Sequence, residues 1–176
     1  MAERGTGLWV YRGFFIAFAA TLIFLKLLPL NPGPGRLPGP DVLLLVALCW
    51  TIRRAKLLPV WLLAAVFLLS DLLLMHPPGL WTALTILACE FVRARRVPLR
   101  TATFFIEWLL VAGVVAAMTV ANTLILSIFV APQPAFGLTV IGMILTVLAY
   151  PLVVILAGRA LGLVKTNEEE ILGERA

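Results

Sequence analysis

The sequence predicts an all-α membrane protein, a bundle of six transmembrane helices with both termini in the cytoplasm. Of the 176 residues, 62% are hydrophobic and 13% are charged, whereas a soluble domain is about half apolar and a quarter charged. Six apolar segments are separated by short loops rich in proline, glycine and arginine, and the basic residues alternate from loop to loop. No room remains for a soluble catalytic or nucleotide-binding domain.

A spanning helix requires about 20 mainly apolar residues. We expect spans at about 8–30, 37–52, 57–75, 79–92, 103–130 and 136–157. The first is interpreted as an uncleaved anchor, because it continues through Lys26 to Pro29 with no convincing cleavage site. The second is only roughly 18 Å long if it starts at Asp41. We therefore expect it to begin near Leu37, to be covered by its neighbours, or to lie where the bilayer thins.

The later spans are delimited in the same way. Pro59 opens the third span, Pro77 and Pro78 precede the fourth, and an arginine-rich loop precedes the fifth. The fifth, about 42 Å long, must tilt or project from the bilayer. Pro151 lies inside the sixth, where we expect a kink that frees the carbonyl of Val147. A short acidic cytoplasmic tail follows at 166–176.

The distribution of basic residues sets the expected orientation. Twelve lie in the terminal flanks and in the second and fourth loops, Arg36 lies in the first loop, and Lys26 lies within the first span. Because cytoplasmic loops carry the excess of Lys and Arg, this pattern predicts cytoplasmic termini and six crossings. The net charge of +5 is thus explained without nucleic acid.

Acidic residues within the apolar segments are candidates for function. Asp41 and Asp71 are expected near the outer face, and Glu90 and Glu107 near the inner face. None is expected near the middle of the bilayer, so a proton or ion relay is not predicted. No catalytic motif is present, and His76 lacks a metal-site spacing. We therefore expect no enzymatic activity, no cofactor and no metal.

The roles of these acids have alternatives that the sequence leaves open. Glu90 is three residues before Arg93, so the two side chains can pair, and Glu107 lies one or two turns beyond Arg100. Charge neutralisation and docking of a partner's cation are the two hypotheses for both glutamates. Asp71 has either a structural hydrogen-bonding role or a role in contacting a partner. Asp41 is expected to cap the second helix.

Small residues form a ridge along the fifth span. Gly113, Ala117 and Ala121 are spaced by four, a pattern that lets transmembrane helices approach closely. The ridge serves either packing within the bundle or docking of a partner's helix. Asn122 on the same helix is expected to bond across it.

The stretch from Pro40 to Arg54, followed by Pro59, Ser70-Asp-Leu-Leu73 and Pro78-Gly79, resembles the rod shape-determining protein MreD family. That family shows a Pro-Asp start to an aliphatic span, an aromatic residue before a basic pair, a proline opening the next span, and an acid in its second half. The resemblance is strongest over about 40–92 and rests beyond that on length and topology.

The resemblance implies a non-catalytic scaffold of the bacterial cell-elongation machinery in the inner membrane. Its partners would be the lipid bilayer and an MreC-like single-pass protein. Through the latter it would reach an MreB-like filament, a RodA-like glycan polymerase and its penicillin-binding transpeptidase. Partner contacts are expected at three places: the ridge of Gly113, Ala117 and Ala121; the corner of Asp71, Pro78 and Gly79; and the cytoplasmic side at Arg53, Arg54 and Glu107.

The alternative function is the small-molecule-binding subunit of a membrane transporter, similar to the substrate-binding subunits of vitamin transporters. That hypothesis predicts an enclosed polar pocket near the outer face, around Asp41, Asp71, His76 and Trp81.

Overall fold

The computed structural model describes residues 3–28, 38–75, 77–95, 103–129, 133 and 135–161. In these ranges the chain forms six α-helices and no β-strand, which confirms the all-helical prediction. The helices are α1 (Glu3–Leu27), α2 (Val42–Arg54), α3 (Val60–Leu73), α4 (Leu80–Ala94), α5 (Phe104–Ile128) and α6 (Phe136–Leu161), with a 3-10 turn at Ala55–Leu57. The acidic tail 166–176 lies outside the described residues.

Three of the helices are long and apolar enough to cross a membrane. The qualifying segments are Trp9–Leu27 in α1, Phe104–Ile128 in α5 and Phe136–Arg159 in α6. Large hydrophobic side chains on these helices point outwards, among them Phe24 and Leu148, which are 62% and 60% exposed. Such a surface is unfavourable in water and suits contact with lipid. These features are those of a membrane protein.

The short helix α2 forms the centre of the bundle. Every residue from Leu43 to Trp50 is buried, and the helix packs against α1, α4 and α6. A helix that is apolar on all sides is a buried helix, and α2 is covered by its neighbours, which is one of the explanations that the sequence offers for its short length. Residues 38–41 precede it without helical structure, so the helix begins at Val42 and not near Leu37. Cys49 is among the buried residues, as expected of a small hydrophobe.

Contacts at the helix ends show that neighbouring helices run in opposite directions. Lys26 at the end of α1 meets Asp41 at the start of α2. At the other end, Arg53 in the last turn of α2 meets Glu107 in the first turn of α5. We call these the Asp41 end and the Arg53 end of the bundle.

Helix α6 continues through Pro151. Proline has no N–H, so the carbonyl four residues earlier loses its usual helical donor. The indole Nε1–H of Trp108 on α5 donates to this carbonyl, that of Val147, at 3.0 Å. The freed carbonyl that the sequence predicts is thus satisfied by the neighbouring helix.

Candidate functional site

A buried polar cluster joins three helices at the Arg53 end. Arg53 Nη2 lies 3.3 Å from Glu107 Oε1, and the hydroxyl of Tyr150 donates to the same oxygen at 2.6 Å. The guanidinium also donates from Nε to Cys49 Sγ at 3.4 Å. Arg53 is 6% exposed, while Glu107 and Tyr150 are fully buried. The cluster therefore ties α2, α5 and α6 together inside the bundle.

The position of Glu107 has a simple electrostatic basis. It lies in the first turn of α5, where the helix dipole favours a negative charge. Arg53 balances that charge from the last turn of α2. Both residues were expected as partner contacts, yet their side chains face one another in the interior. Arg100, placed near Glu107 by the sequence, and the side chain of Arg54 lie outside the described residues.

Asp71 organises the corner between α3 and α4. It is fully buried, and its Oδ2 accepts hydrogen bonds from the Gly79 N–H at 3.2 Å, the Thr82 N–H at 3.1 Å and the Thr82 hydroxyl at 2.8 Å. The first N–H groups of a helix have no partner within the helix. Asp71 supplies that partner to α4 from the preceding helix, which is a structural hydrogen-bonding role.

The other residues of this corner support the same geometry. Gly79 has φ of +86°, which an L side chain rarely adopts, and it stands at the N-cap position of α4. Pro78 precedes it and is exposed. His76, which the sequence places nearby, lies outside the described residues.

Asp41 links four helices at the Asp41 end. Its Oδ1 lies 3.3 Å from Lys26 Nζ, and its Oδ2 accepts from Trp81 Nε1–H at 3.1 Å. Its backbone N–H donates to the Thr146 hydroxyl at 3.1 Å. Asp41 does occupy the N-cap position of α2, but its side chain makes no capping hydrogen bond, because both oxygens bind neighbouring helices instead.

A cavity of about 290 Å³ lies beside Asp41, between α2, α4, α5 and α6. Asp41 and Trp81 line it, as the alternative hypothesis predicts, whereas Asp71 does not, and the cavity is partly open and not the enclosed polar pocket of that prediction. Asn122, Thr139 and Gln133 add polar groups to an otherwise mainly apolar wall.

An open apolar groove of about 590 Å³ runs between α4 and α5. The ridge residues Gly113, Ala117 and Ala121 line it, and a Cβ added at Gly113 would meet no atom within 4 Å. Leu87 and Phe91 form the facing wall on α4. The ridge therefore faces the outside of the bundle, and no described helix packs into it.

The expected pairing of Glu90 with Arg93 is present. Arg93 Nη1 lies 2.6 Å from Glu90 Oε1, and Nη2 donates to the carbonyl of Leu58 at 2.6 Å. The pair therefore also fastens the end of α4 to the start of α3.

The sequence identifies the buried acids, but it does not identify the side chains that form hydrogen bonds around them and around Pro151. Tyr150 and Trp108 were not singled out, although a buried tyrosine or tryptophan usually places its polar group on a hydrogen-bond partner. Each carries a polar atom on a large ring and lies within an apolar segment. This combination is the sequence signal for a buried hydrogen bond. No group of three or more His, Cys, Asp or Glu that could hold a metal occurs among the described residues.

The chain was compared with protein families, with curated proteins and with solved structures, and none matches it.

Proposed function

We propose that the chain is a non-catalytic scaffold of the bacterial cell-elongation machinery, similar to MreD, that binds the transmembrane helix of an MreC-like single-pass protein. The observation that carries this proposal is the open α4–α5 groove with its ridge of small residues. Transmembrane helices associate through close backbone approach at small residues, since lipid provides no hydrophobic driving force between them. A second helix seated here would cover Gly113 and Ala117, which are exposed.

The proposed topology has six spans in the inner membrane, with the Arg53 end in the cytoplasm. The distribution of basic residues supports this orientation. Helices α2, α3 and α4, with 13 to 15 residues, are shorter than a bilayer core. Burial of α2 by its neighbours supports its inclusion as a short crossing.

The test is co-purification of the full chain in mild detergent. Gly113→Leu fills the groove and is expected to remove the single-pass partner while the unfolding temperature of the isolated chain stays unchanged. Gly13→Leu on α1 is the matched control, because Gly13 is also an exposed helical glycine with no atom near its added Cβ. It is expected to retain the partner.

Depletion of the protein in the cell supplies the second measurement. If it is a scaffold of elongation, rod cells widen on depletion, and Gly113→Leu fails to restore the width. An intact complex without a single-pass partner, together with unchanged cell width on depletion, would exclude the proposal.

A second candidate function is the small-molecule-binding subunit of a membrane transporter. The cavity beside Asp41 and Trp81 favours it. This function requires a ligand that is retained through purification and a partner that supplies energy for transport, and co-purification detects both.

A further inference from the structure

The cavity at the Asp41 end has the size and walls of a small-molecule site. Its volume of about 290 Å³ is just below the range of about 300–1,000 Å³ that ligand pockets occupy. Leu44, Val115 and Leu138 contribute apolar surface. Small-molecule sites are usually lined in this way, with a few polar groups that orient the ligand.

One wall of the cavity is held in place by direct packing. Pro38, in the non-helical segment before α2, lies so close to Gly142 that an added Cβ there would be 3.1 Å from the Pro38 Cβ. Thr146 accepts the Asp41 N–H and donates to the Gly142 carbonyl at 2.7 Å. The segment is thus attached to α6 at two points, and the cavity is part of the packed structure.

The charged group at the cavity is already neutralised. Both oxygens of Asp41 have partners, Lys26 and the indole N–H of Trp81. The hydroxyls of Thr119 and Thr123 donate to carbonyls of their own helix at 2.8 and 2.9 Å. An ionic ligand would therefore find no unpaired charge among the described lining residues.

Two polar side chains in the wall differ from these. The amide of Asn122 and the hydroxyl of Thr139 line the cavity and make no hydrogen bond to any residue that the structure describes. An amide offers two donors and an acceptor, and a hydroxyl offers one donor and two acceptor positions. Both side chains are half-buried, so their polar groups are accessible from the cavity and available to a ligand.

We infer that this cavity binds a neutral molecule with an apolar body and a hydroxyl or amide group, which hydrogen-bonds to Asn122 and Thr139. The molecule is either the neutral headgroup of a lipid or a free solute with the same groups. The inference does not depend on the scaffold function, because a scaffold can also hold a bound amphiphile at this place.

The test uses the full chain, purified in a detergent without hydroxyl groups, and native mass spectrometry. Three probes are added: glyceryl monolaurate, which carries two hydroxyls on a long apolar chain; methyl laurate, which has the chain without hydroxyls; and hexane-1,2-diol, a water-soluble molecule with two hydroxyls on a short apolar chain. We expect one-to-one binding of a hydroxyl-bearing probe and at least about tenfold weaker binding of methyl laurate. Binding of glyceryl monolaurate alone indicates a lipid source, and binding of hexane-1,2-diol indicates a free solute.

Variants place the bound probe in the cavity. Asn122→Leu and Thr139→Val each remove one bond and are expected to weaken binding about three- to tenfold. Ser127→Ala serves as the control, because Ser127 is exposed on the same helix and does not line the cavity. Without probe, Asn122→Leu is expected to unfold at the same or a higher temperature, since it replaces an unpaired amide by an apolar group.

Three results would overturn the inference. They are equal binding of methyl laurate and glyceryl monolaurate, absence of binding by both hydroxyl-bearing probes, and a lower unfolding temperature of probe-free Asn122→Leu. None of them bears on co-purification of a single-pass partner, so failure here is distinguishable from failure of the scaffold proposal.

Discussion

Replacing Glu107 by alanine removes the carboxylate that Arg53 and Tyr150 share at the Arg53 end. Glu107 is fully buried and Arg53 is 6% exposed, so water cannot take the place of the lost partner. The guanidinium would keep its contact to Cys49, a weak acceptor, and lose its close anionic neighbour. We therefore expect Glu107→Ala to be strongly destabilising.

The magnitude follows from the separation of the charges. At 3.3 Å, two unit charges attract each other by about 5 kcal/mol at an effective dielectric constant of about 20. Desolvation offsets much of this attraction in the intact pair. Loss of one partner, however, leaves the other charge buried, which lowers the free energy of unfolding by about 3–5 kcal/mol. In a chain of this size that corresponds to a fall of roughly 10 °C in the unfolding temperature.

Thermal unfolding of the purified chain in mild detergent measures the effect. Tyr150→Phe, which removes one hydrogen bond to a charged group, should lower the free energy of unfolding by about 1.5–3 kcal/mol. Tyr11→Phe is the matched control, because Tyr11 makes no hydrogen bond within the described chain, and it should change stability by less than about 0.5 kcal/mol.

The double variant Arg53→Met/Glu107→Leu distinguishes the effect of breaking the buried charge pair from the effect of lost packing. It should be more stable than Glu107→Ala, because it removes both charges of the buried pair. An unfolding temperature of Glu107→Ala equal to that of the wild type would refute the reasoning. So would a double variant whose loss of stability equals the sum of the losses measured for Arg53→Met and Glu107→Leu singly.

Three further perturbations test other contacts through the same unfolding measurement. Asp71→Ala leaves the first turn of α4 without its acceptor and should destabilise by about 2–4 kcal/mol; unchanged stability together with loss of a co-purified partner would instead assign Asp71 to partner contact. Gly79→Ala places a side chain at positive φ and should lower the free energy of unfolding by about 1–2 kcal/mol. Gly137→Ala, at an open helical position, should not destabilise the chain. Trp108→Phe removes the donor to the carbonyl freed by Pro151 and should lower the free energy of unfolding by about 1 kcal/mol. In a Pro151→Ala background, where a backbone N–H is restored, the same substitution should have a smaller effect. Equal losses in both backgrounds would contradict the assignment.

The predictions that hold rest on local properties of the chain. Apolar composition and the spacing of loops indicate helices, and the described residues are almost entirely helical. Glu90 and Arg93 are three residues apart on one helix, so their pairing depends only on helical geometry. The carbonyl freed by Pro151 is likewise a local consequence of a missing N–H.

Partners that are distant along the chain were not predicted. Glu107 meets Arg53 across 54 positions and Tyr150 across 43. The sequence placed Glu107 one or two turns beyond Arg100, which lies outside the described residues. The contacts of Glu107 with Arg53 and Tyr150 depend on how α2, α5 and α6 pack, and no local pattern contains that information.

The sequence by itself determined an apolar, all-helical chain, the segments from which its helices form, and the few acids worth attention. Hydrophobicity and helical period are properties of neighbouring residues, so they can be read without a fold. Only the tertiary structure decided that α2 is central and that the ridge at Gly113 faces outwards. It also decided that Asp71 accepts hydrogen bonds from the first N–H groups of α4. The physical reason is that a buried polar group bonds to whichever partner packing brings within hydrogen-bond distance, and packing depends on all the helices together.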